Sequence, residues 1–455
     1  MRYLTLAVAV ALAQLFAAGR CAAADPAAEL PRYRLTPGEE LVYEGSSEFT
    51  FQSGVFASRQ TMRVLPVRPN ADGSWRVVIQ NSDVEIETRD GKKNESPADV
   101  SLAYVDLYPD GRFTEDPSPR FEVRPARVFP GLPGDAGAMK AGWEEPADPF
   151  GGRRHFKVSS GVDSGKDWVF TGTSDSPEDK IYLADRKAVY HFDAARGIIT
   201  KMEEEFTQGW GFNGRGTGTL ELKKTETHDP QWLGRLAREA DVYFQSHQAY
   251  EAVTDGHERD PARLKEKLDE AEKALVAARD ELTLPVFKEQ VERQLTKHKS
   301  SAEYLVNDAQ ERAAVVDHPS PDWEATDMAG KPHSLKEYGG KVVVLDFWYR
   351  GCGWCIRAMP QIKQLAEDFK QKPVAVLGMN TDREPKDAQF VIDAMDLNYA
   401  TLKATGLPEK YKVQGFPTLI VIDQAGVIRR VHVGYSPTLR QDVGKLIESL
   451  LAKGG

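Results

Sequence analysis

Cysteine is scarce in this 455-residue chain: Cys21, Cys352 and Cys355 are the only three. So few cannot build a structural disulfide framework. Long basic runs are missing too, and a net charge of −10 with 28% charged residues argues against nucleic-acid binding as the main task. The one apolar stretch of any length, Leu4 to Ala18, has 15 residues. That is short of the roughly 20 needed to span a bilayer. Neither a second Cys-x-x-Cys nor a clustered histidine pair stands with Cys352 and Cys355, so the ligands of a zinc site are lacking.

What is present at the start reads as a secretory leader: Arg2, the apolar stretch broken only by Thr5 and Gln14, then Ala22-Ala23-Ala24. Cleavage is expected before Asp25, which places the protein outside the cytosol, in the periplasm or cell envelope. Arg20 stands where a lipidation signal carries a small residue, so Cys21 is read as part of the leader. Cys352 and Cys355 then remain as one close pair in an oxidising compartment. Closing so short a loop removes little chain entropy, so exchange is the expected use over stapling.

The length implies several domains. Residues 25–228 carry short apolar or aromatic runs, among them Leu41-Val42-Tyr43, Trp75 to Ile79, Trp168-Val169-Phe170, Ala188 to Phe192 and Leu220-Glu221-Leu222. Turn signals such as Asp72-Gly73, Pro109-Asp110-Gly111 and Arg196-Gly197 separate them. This predicts an all-β domain, a sandwich or an open barrel, able to hold a ligand, dock a partner or serve as scaffold. Phe129 to Gly134, with nearby Asp148-Pro149-Phe150, is expected as a long loop. Gly209 to Gly214 matches Gly-x-Gly-x-x-Gly, but Thr217 to Leu222 continues as a strand where a dinucleotide site needs a helix; a glycine-rich hairpin is expected.

Residues 229–316 change to helical periodicity. Asp260-Pro261 is an N-cap with proline at the first helical position, and Leu264, Leu268, Ala271, Leu275, Ala278 and Leu282 recur in steps of four and three. Leu284-Pro285 interrupts this seam, and Val291, Leu295, His298, Ala302, Leu305 and Ala309 form a second. With Trp232 to Phe244 ahead of both, a helical hairpin or three-helix linker is predicted, acting as a spacer or as a surface for self-association. His298 is read as a core histidine.

The chemistry gathers at Val342 to Cys355. A β-branched run of strand length ends in Tyr349-Arg350-Gly351, and the two cysteines open a helical pattern. A cysteine at a helix N-terminus has its thiolate favoured by the dipole and by unpaired backbone N–H groups. Cys352 is the expected exposed nucleophile and Cys355, one turn on, the resolving thiol.

Further landmarks stand in order: Pro319 to Trp323, Asp327 to Lys331, Ser334-Leu335, Gly340-Lys341, Cys352-Gly353-Trp354-Cys355, Pro360, Gly415-Phe416-Pro417-Thr418 and Ile422 to Ile428. Residues 317–455 thereby resemble the thioredoxin-like thiol-disulfide oxidoreductases of the TlpA/ResA type, and the resemblance implies a C-terminal α/β thioredoxin fold. It also implies that Phe416, Pro417 and Thr418, with Pro417 in cis, meet the substrate near the dithiol; Trp354 within the pair joins them. Asp346 falls where thioredoxin has a buried aspartate, and burial would raise its pKa and suit it to take the proton of Cys355. The implied partners are protein thiols and disulfides, cytochrome c precursors and a membrane electron donor. No cofactor is expected beyond the redox-active Cys352–Cys355 disulfide. Gly351 before the pair, Gly353-Trp354 inside it and Ala358 three residues after it depart from the family pattern. Ala358 stands where many members carry a glutamate, which leaves Asp346 as the proton carrier. A peroxiredoxin would need a Pro and Thr context around its cysteine, and Tyr349 stands there instead. The competing reading is a binding protein whose β-domain carries the main function.

Overall fold

The computed structural model describes residues 30–51, 54–89, 92–114, 128–145, 154–160, 167–174, 185–208, 214–254 and 260–453. The expected leader, Asp148-Pro149-Phe150 and Gly209 to Asn213 lie outside them.

The N-terminal part is one antiparallel sheet of 11 strands: β1 (Glu39–Phe51), β2 (Gly54–Pro69), β3 (Trp75–Arg89), β4 (Lys92–Glu95), β5 (Asp99–Leu107), β6 (Trp143–Glu144), β7 (Arg154–Ser160), β8 (Asp167–Ser174), β9 (Asp185–Asp193), β10 (Ile198–Gln208) and β11 (Gly214–Thr227). The order is β4-β3-β2-β1-β11-β10-β9-β8-β7-β6, with β5 also on β3. Among the described residues this is a single sheet with no second one packed face to face, the open arrangement of the two expected. Its concave side draws Val77 and Val105 from one end and Phe156 and Phe170 from the other into one core, so the sheet curls on itself. Phe129 fills the middle of that core, edge-on to Tyr33 at 5.6 Å and to Tyr43 at 6.2 Å. The loop expected there is therefore irregular but buried, and a short helix α1 (Ala136–Ala141) follows it. On either side of the glycine-rich segment β10 and β11 pair antiparallel, with Gln208 opposite Gly214.

Three helices follow: α2 (Pro230–Thr254), α3 (Pro261–Glu281) and α4 (Pro285–Ala313). Asp260 caps α3, its carboxylate accepting from the Ala262 and Arg263 N–H groups at 2.9 and 3.3 Å. The predicted α3 seam is buried from Leu264 to Ala278. His298 is buried against Tyr250, whose hydroxyl lies 3.0 Å from Nδ1. Leu65, Val67 and Val78, from the other face of β2 and β3, join Leu275, Phe287 and Val291 in one cluster. The helices thus spend their apolar stripes on each other and on the sheet.

The C-terminal part opens with a small hairpin, β12 (Glu324–Thr326) and β13 (Pro332–Ser334). A five-stranded mixed sheet follows, in the order β16-β15-β14-β17-β18. β14 (Val342–Trp348), β15 (Val374–Asn380) and β16 (Ala400–Lys403) run parallel; β17 (Thr418–Ile422) and β18 (Ile428–Val433) complete it antiparallel. Helices α5 (Gly353–Asp368), α6 (Pro385–Met395), α7 (Leu407–Lys410) and α8 (Leu439–Lys453) surround the sheet. Every residue of β14 is buried, Asp346 included, as its largely apolar run requires of a central strand covered on both faces. β12, β13 and β16 carry too short an apolar pattern to be read from sequence.

Candidate active site

β14 delivers the chain to the site and α5 receives it. Between them Tyr349-Arg350-Gly351 turns, held by the Arg350 N–H donating to Asp382 at 2.9 Å and the Arg350 guanidinium to Asp387 at 2.8 Å. Cys352 is the N-cap of α5, and the Cys355 N–H donates to its sulfur at 3.1 Å. The two cysteines are joined, with Cα atoms 5.2 Å apart. A helix end that points its dipole and a free backbone donor at a sulfur stabilises the thiolate of that sulfur once the bond is reduced.

The Phe416-Pro417 peptide bond is cis, at the entry to β17. Phe416 packs against the cluster that holds Cys352, Cys355, Trp348 and Met359, and meets the Tyr349 ring edge-on at 5.2 Å. Trp354 is 38% exposed, stacked on Tyr435 at 5.7 Å with the Arg357 guanidinium over its ring at 4.8 Å.

Asp346 is 1% exposed. Val342 and Val344 pack towards α5 and α8, while Val343, Leu345 and Phe347 pack on the opposite side of the sheet. Alternation places Asp346 on the α5 side, two residues from Trp348, which shares a cluster with both cysteines. Burial pushes the Asp346 carboxyl up to about 7, against the opposing pull of Tyr399, whose hydroxyl donates to Oδ2 at 3.3 Å. Oδ1 is buried without a hydrogen-bond partner, as are Trp348 Nε1 and Thr401 Oγ1. Among the described residues no cation opposes the effect of burial on this carboxyl, and a value of about 7 makes both its protonated and its ionised form accessible near neutral pH. Gly378, opposite Asp346 on β15, leaves room for these groups: a Cβ there would lie 2.9 Å from both Thr401 Oγ1 and Trp348 Nε1.

The Redoxin family matches residues 315–447. The thioredoxin-like protein YneN of Bacillus subtilis is 31% identical over 119 residues, which are 25% of this chain and 69% of that protein. The thiol-disulfide oxidoreductase ResA of Bacillus cereus is 30% identical over 117 residues, 25% of this chain and 68% of its own length. By its C-terminal domain the chain belongs to the ResA-type thioredoxin-like thiol-disulfide oxidoreductases. A solved thioredoxin domain of a thiol-disulfide oxidoreductase from Bacteroides vulgatus is 27% identical, with 97% of that chain and 29% of this one covered and a TM-score of 0.27.

Within this ResA-type domain one sequence expectation needs correction. Cys352 is not freely exposed: in the disulfide form it is 5% accessible, because the N-cap position tucks it beneath apolar neighbours that include Phe416. Thr418 is fully buried and its hydroxyl donates to the Gly415 carbonyl at 2.7 Å, so it braces the corner and presents no side chain to a substrate. Ala358 is buried against Val344 and Ile362, leaving no proton carrier at that position. Sequence reasoning missed Tyr399, Asp382 and Asp387, which lie 32 to 53 residues from their partners in the chain. Nothing in local pattern joins them to the dithiol.

Proposed function

We propose that the protein is an exported oxidoreductase that reduces protein disulfides through Cys352 and Cys355. The Cys352 thiolate attacks one sulfur of the substrate disulfide; the substrate S–S bond breaks, a mixed disulfide forms, and the released substrate thiolate takes up a proton. Asp346 accepts the proton of Cys355, whose thiolate attacks the Cys352 sulfur and displaces the second substrate thiol. Two electrons have passed to the substrate, and the enzyme ends as the disulfide. An external dithiol donor, at the membrane, must then restore it. No cofactor is needed beyond the cysteine pair. The reductive direction and cytochrome c precursors as substrates follow from the family resemblance; export follows from the leader.

The observation that carries this reading is the cysteine pair at the N-terminus of α5, packed against the Phe416-Pro417 corner. The full chain is expected to accelerate insulin reduction by dithiothreitol, and Cys352→Ser to abolish that effect. A Cys355→Ala variant should accumulate disulfide-linked proteins in the envelope of its host. No acceleration by the wild type, together with no trapped partner, would overturn the proposal.

A further inference from the structure

Four large hydrophobic side chains are exposed among the described residues: Phe56, Tyr304, Tyr349 and Trp354. Two of them, Tyr349 and Trp354, stand three residues before and two after Cys352. Tyr304 belongs to α4, outside the redox domain, yet it faces the same site: a Cβ built on Gly415 would lie 3.9 Å from its hydroxyl. Gly415 immediately precedes the cis Phe416-Pro417 bond, and Phe416 touches both Tyr349 and the cysteine cluster. Contacts therefore run from Tyr304 through Gly415, Phe416 and Tyr349 to the cluster that holds the buried Cys352.

The placement of α4 is anchored. Val315 and Val316, directly after its end, pack into the core of the redox domain. The Asp317 N–H donates to the Ile428 carbonyl at 2.7 Å and the Ser320 N–H to that of Gly426 at 2.8 Å. Closer to Tyr304, the Gln414 side-chain amide donates to Glu311 of the same helix. A tyrosine held at 51% exposure beside a reactive site gains nothing by burial in its own chain, and exposed aromatics rimming a site are the usual anchors of a partner.

We infer that Tyr304 of α4 is a specificity-determining residue that extends the substrate surface of the dithiol and receives an apolar side chain next to the attacked cysteine of an extended polypeptide. A strand-like segment laid against the corner runs past both groups and can present alternate side chains to Tyr304. This inference rests on the proposed disulfide exchange.

Two disulfide-linked peptides, alike except for Leu or Gly beside the attacked cysteine, are the probes, with the full-length chain as enzyme. The wild type should favour the Leu peptide in kcat/KM. Tyr304→Ala should lower that Leu-over-Gly ratio about 5- to 10-fold, the size of one aromatic contact, and Tyr304→Phe should keep it. A wild-type enzyme that reduces both peptides with a ratio unchanged in Tyr304→Ala overturns this inference alone. A wild type that reduces neither peptide overturns the exchange reaction, and this inference with it. If Tyr304→Ala fails to fold, Tyr304→Ser and Tyr304→Gln carry the same expectation.

Discussion

At the scale of single residues, Asp346 decides most. Its folded-state pKa of about 7 stands above the ordinary 3.8, so between those values the folded protein holds a proton that the unfolded chain releases. The neutral carboxyl is tolerated at low pH, and stability is lost as pH rises towards the folded pKa, by at most about 4 kcal/mol. Asp346→Asn should therefore match the wild type in urea denaturation near pH 4 and exceed it at pH 8.5. A difference independent of pH would mean that the carboxyl is not buried as described. In turnover the same substitution should slow release of the mixed disulfide by about 100-fold and leave its pH dependence to ionisation of the Cys355 thiol alone. Tyr399 supplies the bond that opposes the rise, so Tyr399→Phe should move the midpoint of the pH profile upward, as read by stopped-flow release from a trapped substrate.

At the scale of elements, β15 and the turn before α4 bear the sharpest constraints. Gly378 lets Trp348, Thr401 and Tyr399 close over Asp346, and a methyl group there would press on two of them at 2.9 Å. Gly378→Ala should cost about 1–3 kcal/mol in denaturant titration, since a packed interior yields little. Glu239 of α2 is buried and accepts from the Thr283 and Leu284 N–H groups at 2.9 and 2.7 Å and from the Thr283 hydroxyl at 2.6 Å. Glu239→Ala would strand these donors and should cost about 2–3 kcal/mol. Glutamine at 239 keeps the acceptor and should recover part of that, which separates a lost acceptor from a lost charge.

At the scale of the whole molecule, the concave core of the large sheet, the helix–sheet cluster and the clusters around β14 are separate groups of side chains. Cores that share so few residues unfold as more than one cooperative unit. Phe287, fully buried and stacked on Tyr243 at 5.4 Å, sits where helices and sheet meet. Phe287→Ala should lower an early calorimetric transition, by about 3–5 kcal/mol in stability, and leave the transition of the redox domain in place. A single merged transition would show instead that the parts are energetically one body. Aromatic side chains fill the concave side of the large sheet, and α4 joins that part of the molecule to the redox domain.

Local pattern was enough for much of this protein. A β-branched apolar run such as Val342 to Leu345 reads as a buried strand, a cysteine after a turn and before a helical pattern as the start of a helix, and periodic leucines from Leu264 onward as a helix seam. Those features depend on neighbours within a few residues. Tertiary structure alone decided the rest, because the relevant distances are between residues far apart in sequence. Alternation could not say which face of β14 Asp346 occupies until α5 and α8 were packed on one side of it. Cys352 lost its expected exposure to a phenylalanine 64 positions on, and Tyr304 reached the site only because the residues after α4 are built into the redox core. Spacing encodes what a segment is; which segments meet is set by the apolar surfaces they must bury together.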